Sequence, residues 1–214
     1  MRRKGNLFHR GGCYICHQDV DLTHGLCPHC LASMGLFGQE VFRPGSLLER
    51  TYACFSYSDL LKKYFHLFKF QHKTYWAPVF AGFMADCILD RGLDKKIDQV
   101  TYIPMEKSRE RKRGYNQSKL LAEKIVQILD MDLATCLEKT RPHKAQVGLR
   151  GWQRRTNLKD SLQAQGDVEG KSLLLIDDIM TTGATLEEGA RALKAGGAKA
   201  VYGLVLAVSG GIQK

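Results

Sequence analysis

Ser172-Leu173-Leu174-Leu175-Ile176-Asp177-Asp178-Ile179-Met180-Thr181-Thr182-Gly183-Ala184-Thr185 is the stretch on which the fold turns. Its first five residues form a continuous apolar run of strand length, the pattern of a strand covered on both faces in a parallel sheet. Leu186 to Ala195 reads as a helix stopped by Gly196-Gly197. The intervening loop then lies at the carboxyl end of a parallel strand, where open α/β sheets bind their ligands. Thr181, Thr182 and Thr185 offer hydroxyl donors, and Gly183 lets the backbone approach closely. The following helix contributes free N–H groups and its positive dipole end. Together these suit a phosphate monoester. Asp177 and Asp178 would repel a phosphate and so need another partner. Two vicinal ribose hydroxyls, which donate to carboxylates, supply one, and the stretch reads as a ribose 5-phosphate site.

Outward from this loop the chain alternates helices and strands. Val201 to Val208 is a second apolar strand, and Val100, Tyr102 and Ile103 form a short one ended by Pro104. Gln117 to Leu129, Asp59 to Phe70 and Ala77 to Leu89 carry apolar residues at helical spacing. Strand, helix and strand at these lengths predict βαβ units, hence an α/β fold with a parallel sheet flanked by helices.

Cys13-Tyr14-Ile15-Cys16 and Cys27-Pro28-His29-Cys30 are two C-x-x-C pairs. Each turn aims two sulfurs at one point, and two such turns supply the four thiolates of a structural zinc site, which leaves no open position for a reacting water. Metal binding then supplies folding energy to a segment with few apolar residues. His17 and His29 abut the ligands without being needed among them. Gly35, Gly38 and Arg43-Pro44-Gly45 mark a linker, giving a zinc-binding module with linker at 1–48 and a larger domain at 49–214. Cys54, Cys87 and Cys136 lack paired spacing and read as core residues.

Of the 214 residues, 44% are hydrophobic and 25% charged, the balance of a folded globular chain rather than a disordered one. No run approaches the roughly 18 apolar residues of a membrane span, and Met1 to Asn6 leads into no apolar stretch, so a cytoplasmic protein without disulfides is expected. The formal net charge is +10, and Glu106 to Arg155 holds thirteen basic residues against six acidic ones, an excess of +7. Smaller basic groups lie at Arg2, Arg3, Lys4 and Arg10 and at Lys62, Lys63, Lys69 and Lys73. Three readings stay open for the large one: a solvated surface, a pyrophosphate cradle and a nucleic-acid face. Pro104 to Arg109 follows a strand and has the position to wrap a pyrophosphate. Arg141 to Arg155 has the length and basicity of a closing lid. Lys107, Arg109, Arg113, Arg150, Arg154 and Arg155 are the candidate phosphate contacts. His143 and Tyr115 are the candidates for an acid or base, but no catalytic residue stands out.

Asp177 to Thr185 resembles the 5-phosphoribosyl-1-pyrophosphate (PRPP) motif of type I phosphoribosyltransferases. The resemblance implies that Asp177 and Asp178 hold the diol, that Met180, Thr181, Thr182, Gly183, Ala184 and Thr185 hold the 5′-phosphate, and that Mg²⁺ accompanies the pyrophosphate. Together with the four-cysteine module, Arg113-Gly114-Tyr115-Asn116-Gln117-Ser118, Lys139 to Gln146 and Arg150 to Arg155, nearly the whole chain resembles the ComF family of competence proteins, ComFC type. That resemblance implies a part in natural transformation, where incoming single-stranded DNA meets the cytoplasm beside a ComFA-type helicase. The alternative is an active phosphoribosyltransferase of nucleotide metabolism that transfers ribose 5-phosphate from PRPP to a base or amine.

Overall fold

A computed structural model describes residues 12–41, 44–140 and 161–209. Helix α1 (Pro28–Met34) leads into strand β1 (Leu36–Glu40) and strand β2 (Thr51–Ser56), followed by helices α2 (Asp59–Phe70) and α3 (Trp76–Asp90). After a 3₁₀ turn at Leu93–Lys95 come β3 (Gln99–Tyr102), α4 (Lys107–Arg113), α5 (Gln117–Leu129) and β4 (Leu137–Lys139). The chain continues with β5 (Leu162–Ala164), β6 (Ser172–Met180), α6 (Ala184–Ala195) and β7 (Ala200–Val208). The main sheet runs β1-β2-β7-β6-β3; its last four strands are parallel and β1 is antiparallel to β2. A separate antiparallel hairpin pairs β4 with β5.

The apolar run at 173–176 lies at the centre of this arrangement because its side chains feed two cores. Leu174 and Ile176 face one, with Leu204 and Leu206 of β7, and Leu173 and Leu175 face the other, with Val201 and Val205. This alternation is the period of two of a strand with both faces covered. The first core takes α2, α3 and α5, and the second takes α6 and the β4–β5 hairpin. β6 extends beyond the apolar run: Asp177 pairs with Val205 and Met180 with Val208, so both acids sit on the strand's last turns of pleat rather than in the loop.

The stretch read as a linker carries β1, an edge strand of the main sheet. The cysteine module also joins the first core, where Cys13, Leu26, Cys27, Cys30 and Met34 pack in one cluster with Phe55, Leu61, Phe65, Trp76 and Phe80. Ser58 caps α2 by accepting from the Leu61 amide while its hydroxyl donates to the Met34 carbonyl at 2.9 Å, tying α2 to the end of α1. Cys54, Cys87 and Cys136 are buried, as their unpaired spacing indicated. No helix among the described residues is long and apolar enough to cross a membrane.

Candidate functional site

At the carboxyl end of β6 the chain turns through Thr181 and Thr182 to Gly183, which takes a left-handed conformation (φ +71°) as the residue before α6. Glycine meets that requirement without the cost of a Cβ. No side chain caps α6 in the usual way; the nearest partner is the Thr182 hydroxyl, 3.4 Å from the Ala184 amide. The first amides of a 12-residue helix thus point out of the sheet end, the arrangement that binds anions. Thr181 is exposed, and Thr182, Ala184 and Thr185 are half-buried. Met180 differs from its neighbours: its side chain is buried in the second core, so it offers the loop only backbone.

The two acids are held by residues far away in sequence. Asp177 Oδ1 accepts from the Ser118 hydroxyl at 2.9 Å and from the Asp178 amide at 2.8 Å. Asp178 Oδ1 accepts from the Ile179 amide at 2.5 Å, and its Oδ2 receives the Lys69 ammonium at 3.1 Å. Burial first, and the neighbouring Asp178 charge second, push the Asp177 carboxyl up to about 7; the Asp178 amide, Ser118 and Lys69 pull the other way. Two adjacent carboxylates in a sheltered site resist double ionisation.

Arg113-Gly114-Tyr115-Asn116-Gln117-Ser118 builds the bracket behind the acids. Gly114 (φ +87°) ends α4 in the left-handed region, and Asn116 caps α5 by accepting from the Ser118 amide at 3.0 Å. The Asn116 Nδ2 donates to the Ile103 carbonyl at 2.9 Å, tying α5 to the end of β3. Tyr115 donates its hydroxyl to the Phe68 carbonyl of α2. Arg113 donates to Gln117 Oε1 at 2.6 Å, and its guanidinium lies 5.1 Å from the centre of the Phe70 ring. In this geometry Tyr115 ties the α4–α5 turn to α2.

A cleft of about 420 Å³ opens between the segment after β3 and the β4–β5 hairpin, lined among others by Pro104, Glu106, Lys107, Ser108, Lys139 and Thr140, and its Lys139 is near enough to Asp177 to feel that charge. Burial, with the nearby Arg109 charge, lowers the Lys139 ammonium below its ordinary range. Lys107 and Arg109 sit exposed on α4, and Arg109 lies 3.7 Å from Glu106. The structure thus brings Lys107, Arg109 and Arg113 to the side of the sheet end that carries the acids. Arg150, Arg154, Arg155 and His143 lie outside the described residues, as does the stretch read as a lid.

The four predicted ligands Cys13, Cys16, Cys27 and Cys30 place their sulfurs within 4.8 Å of one another, with Cys16 and Cys27 at 3.6 Å. A tetrahedral zinc–thiolate site has sulfur–sulfur edges of about 3.8 Å, so the donor set fits that ion. Backbone amides of Cys27 and Cys30 point at Cys13 Sγ and Cys27 Sγ, both at 3.4 Å. Burial raises the Cys13 thiol, but the backbone donors at Cys16, Cys27 and Ile15 outweigh it and bring it to about 6, whereas burial pushes Cys30 up. Four clustered thiols of this kind ionise together only around a cation.

Three contributors were not singled out in the sequence. Lys69 was visible only as one of a group of lysines, and Ser118 only as part of a quoted run. Lys139 carried no assigned role. Each acts through tertiary approach, for which the chain offers no local pattern.

Residues 112–213 match the family model described as phosphoribosyl transferase domain. The chain is similar to the DNA utilization protein YhgH of Escherichia coli strain K12, 28% identical over 207 residues that cover 91% of this chain and 89% of that protein. It is also similar to the competence protein ComFC of Bacillus subtilis strain 168, 28% identical over 197 residues, covering 85% of this chain and 77% of that protein. Among solved structures, a purine phosphoribosyltransferase from Pyrococcus horikoshii Ot3 aligns over 60% of this chain and 73% of its own, with 19% identity and a TM-score of 0.39.

Proposed function

For a chain that is a homologue of competence and DNA-utilization proteins and carries a phosphoribosyl transferase domain, we propose a role in the cytoplasmic handling of incoming single-stranded DNA, exercised through a domain that binds PRPP. The observation that carries this reading is the acid pair Asp177–Asp178 near the carboxyl end of β6, five residues before a helix N-terminus without a side-chain cap. The loop amides and the hydroxyls of Thr181, Thr182 and Thr185 would take the 5′-phosphate, and the acids would accept from the ribose diol. The pyrophosphate would lie toward the cleft after β3, near Lys107, Arg109 and Lys139. Magnesium would arrive on the pyrophosphate and offset its charge; the chain's own carboxylates on that side are Glu106, Glu110 and Glu138 of the cleft together with Asp177 and Asp178.

The nucleic-acid part rests on α2 and the turn after it. Lys62, Lys63, His66, Phe70, His72, Lys73 and Tyr75 are all exposed there. Cations interleaved with aromatic rings suit the backbone and bases of a single strand. A ComFA-type helicase would be the partner that delivers the strand, and the zinc module a structural part of the face that meets it. The second reading, turnover with a base or amine acceptor, is favoured by the completeness of the acids, the glycine and the threonines in the loop.

The deciding experiment measures transformation frequency and PRPP binding on Asp177→Ala/Asp178→Ala. Loss of both supports a ligand site that serves DNA entry; PRPP binding at wild-type affinity would overturn the assignment of the acids. Pyrophosphate release from PRPP with Mg²⁺ and candidate acceptors separates binding from turnover. Titration with single-stranded DNA should show affinity falling with salt, and binding independent of salt would remove the cationic face from the argument.

A further inference from the structure

Lys69 comes from α2, a helix outside the residues that match the phosphoribosyl transferase domain, yet its ammonium reaches Asp178 Oδ2 at 3.1 Å. Its placement is over-determined. α2 is fixed at its start by the Ser58 cap and near its end by the Tyr115 hydroxyl on the Phe68 carbonyl. Lys69 lies in the last turn, where a cation is favoured by the helix dipole, and its ammonium stands 5.3 Å from the centre of the Phe65 ring. The Lys69 and Asp178 side chains are 25% and 17% exposed, so the pair is sheltered enough to fix a geometry.

Among the described residues, the other tether of the Asp178 carboxylate is at Oδ1, which accepts from the Ile179 amide. A carboxylate held by one oxygen rotates; held at both, it presents its remaining lone pairs in one direction. Among the described residues, the other groups facing the pair are Tyr57 and Arg113 on the Asp178 side, and Ser118 and Lys139 on the Asp177 side. Lys69 is the cation bonded directly to either acid among the described residues.

We propose that Lys69 is a specificity-determining residue of the pocket: by clamping Asp178 it aims that carboxylate at the ribose diol and offsets its charge beside a polyanionic ligand. The proposal rests on the reading of the pocket as a ribose-phosphate site. It assigns to α2 the discrimination between ribose and 2-deoxyribose, while the loop after β6 alone handles the phosphate. Removing the clamp should then cost sugar recognition and spare phosphate binding, because the loop and the Lys69 contact are separate structures.

The test uses the full chain and three probes, D-ribose 5-phosphate, 2-deoxyribose 5-phosphate and inorganic phosphate, each titrated by calorimetry without added metal. The wild type should prefer ribose 5-phosphate over the deoxy sugar. Lys69→Met should weaken ribose 5-phosphate by roughly 10-fold or more, the scale of one hydrogen bond to a charged group. The ratio between the two sugars should collapse toward one, with inorganic phosphate changed less than about twofold. Lys69→Arg should restore much of the ratio, and Lys69→Met/Asp178→Asn should be no worse than Asp178→Asn alone. A wild type that binds phosphate without distinguishing the sugars would overturn the diol reading and this inference with it. A wild type that distinguishes them while Lys69→Met does so equally well would overturn the inference and leave the diol reading standing.

Discussion

The four-cysteine cluster and the acid pair are both sites where charge is concentrated, but they are built in opposite ways. The cysteines come from one short segment, and the contact between Cys16 and Cys27 closes over eleven positions. The acids are adjacent in sequence but meaningless without Ser118 and Lys69, which are 59 and 109 positions away. A local cluster can be specified by spacing alone. A distributed one exists only when the sheet, α2 and α5 have docked. The cluster is nonetheless not an independent unit, because Cys13, Cys27 and Cys30 share one core with Trp76 and Phe80.

The largest effect should come from breaking the local site. Cys27→Ser removes a buried sulfur of the four-cysteine cluster, and a strong chelator would strip the ion that the cluster is proposed to hold. Structural metal binding is folding free energy, so the loss should lower Tm by roughly 10 °C or more. Because the module shares the first core, calorimetry should show one shifted transition. Two separate transitions would mean that the module folds by itself and would break the comparison. Trp76 reports locally: its ring lies 5.9 Å from Tyr14 and 4.7 Å from Tyr64, and in a Trp152→Phe background its emission should move to the red on chelation.

Next in size is the pH dependence of the distributed site. The folded chain holds the Asp177 proton up to about 7, whereas an unfolded chain releases it near 3.8. Between those values the folded state binds more protons, so the contribution of Asp177 to stability falls as pH rises across the window and is flat above it. Asp177→Asn cannot ionise. Its stability relative to wild type, measured by urea unfolding, should rise from pH 5 to 7 and then level off. A difference that stays constant with pH would show that Asp177 is not the sheltered member of the pair.

How far the sequence could be read follows the same division. Helices at 59–70 and 117–129 were legible to the residue because their apolar spacing and caps are local, and the cysteine spacing located four thiols that come together as a cluster able to hold a metal ion. The loop after β6 was legible because strand, glycine, threonines and helix are consecutive. β1 was hidden under Gly38, which marks a turn in most contexts; the edge pairing with β2 tolerates it with a register shift between Leu36 and Gln39. α4 was missed because Lys107 to Arg113 buries no residue, so no apolar period marks it. Lys69 and Ser118 were invisible as site residues for a different reason: a lysine on a helix face and a serine at a helix start have ordinary local roles, and only docking brings them to the acids.

A smaller effect sharpens the bracket behind those acids. Asn116→Ala removes the cap of α5 and leaves the Ile103 carbonyl without its side-chain donor, a loss of about 1–2 kcal/mol by the usual scale of N-cap substitutions. Because Ser118 is positioned by that cap, ribose 5-phosphate affinity should drop several-fold while the Tm change from chelation stays as in wild type. If affinity is unaffected, the hydrogen bond from Ser118 to Asp177 does not depend on the cap, and the distributed site is less cooperative than its geometry implies.

The smallest effect belongs to the contact that joins the local site to the rest of the fold. His24 places Nε2 at 2.7 Å from Asp86 Oδ2 and sets its ring edge-on to Phe83 at 4.8 Å. It reaches α3 only because residue 82 is glycine: a Cβ there would lie 2.3 Å from the His24 ring. The ring contact is sheltered and the hydrogen bond to the carboxylate is not, since the Asp86 side chain is 52% exposed. Exposed pairs of this kind contribute about 1 kcal/mol or less and weaken with salt. A double-mutant cycle on His24→Ala and Asp86→Asn should therefore give a coupling below about 1 kcal/mol that shrinks at high ionic strength, with most of the His24→Ala cost remaining in the Asp86→Asn background. A larger, salt-resistant coupling would mean that the module is held to α3 by a specific ion pair, and that the local site depends on a distant partner as much as the acids do.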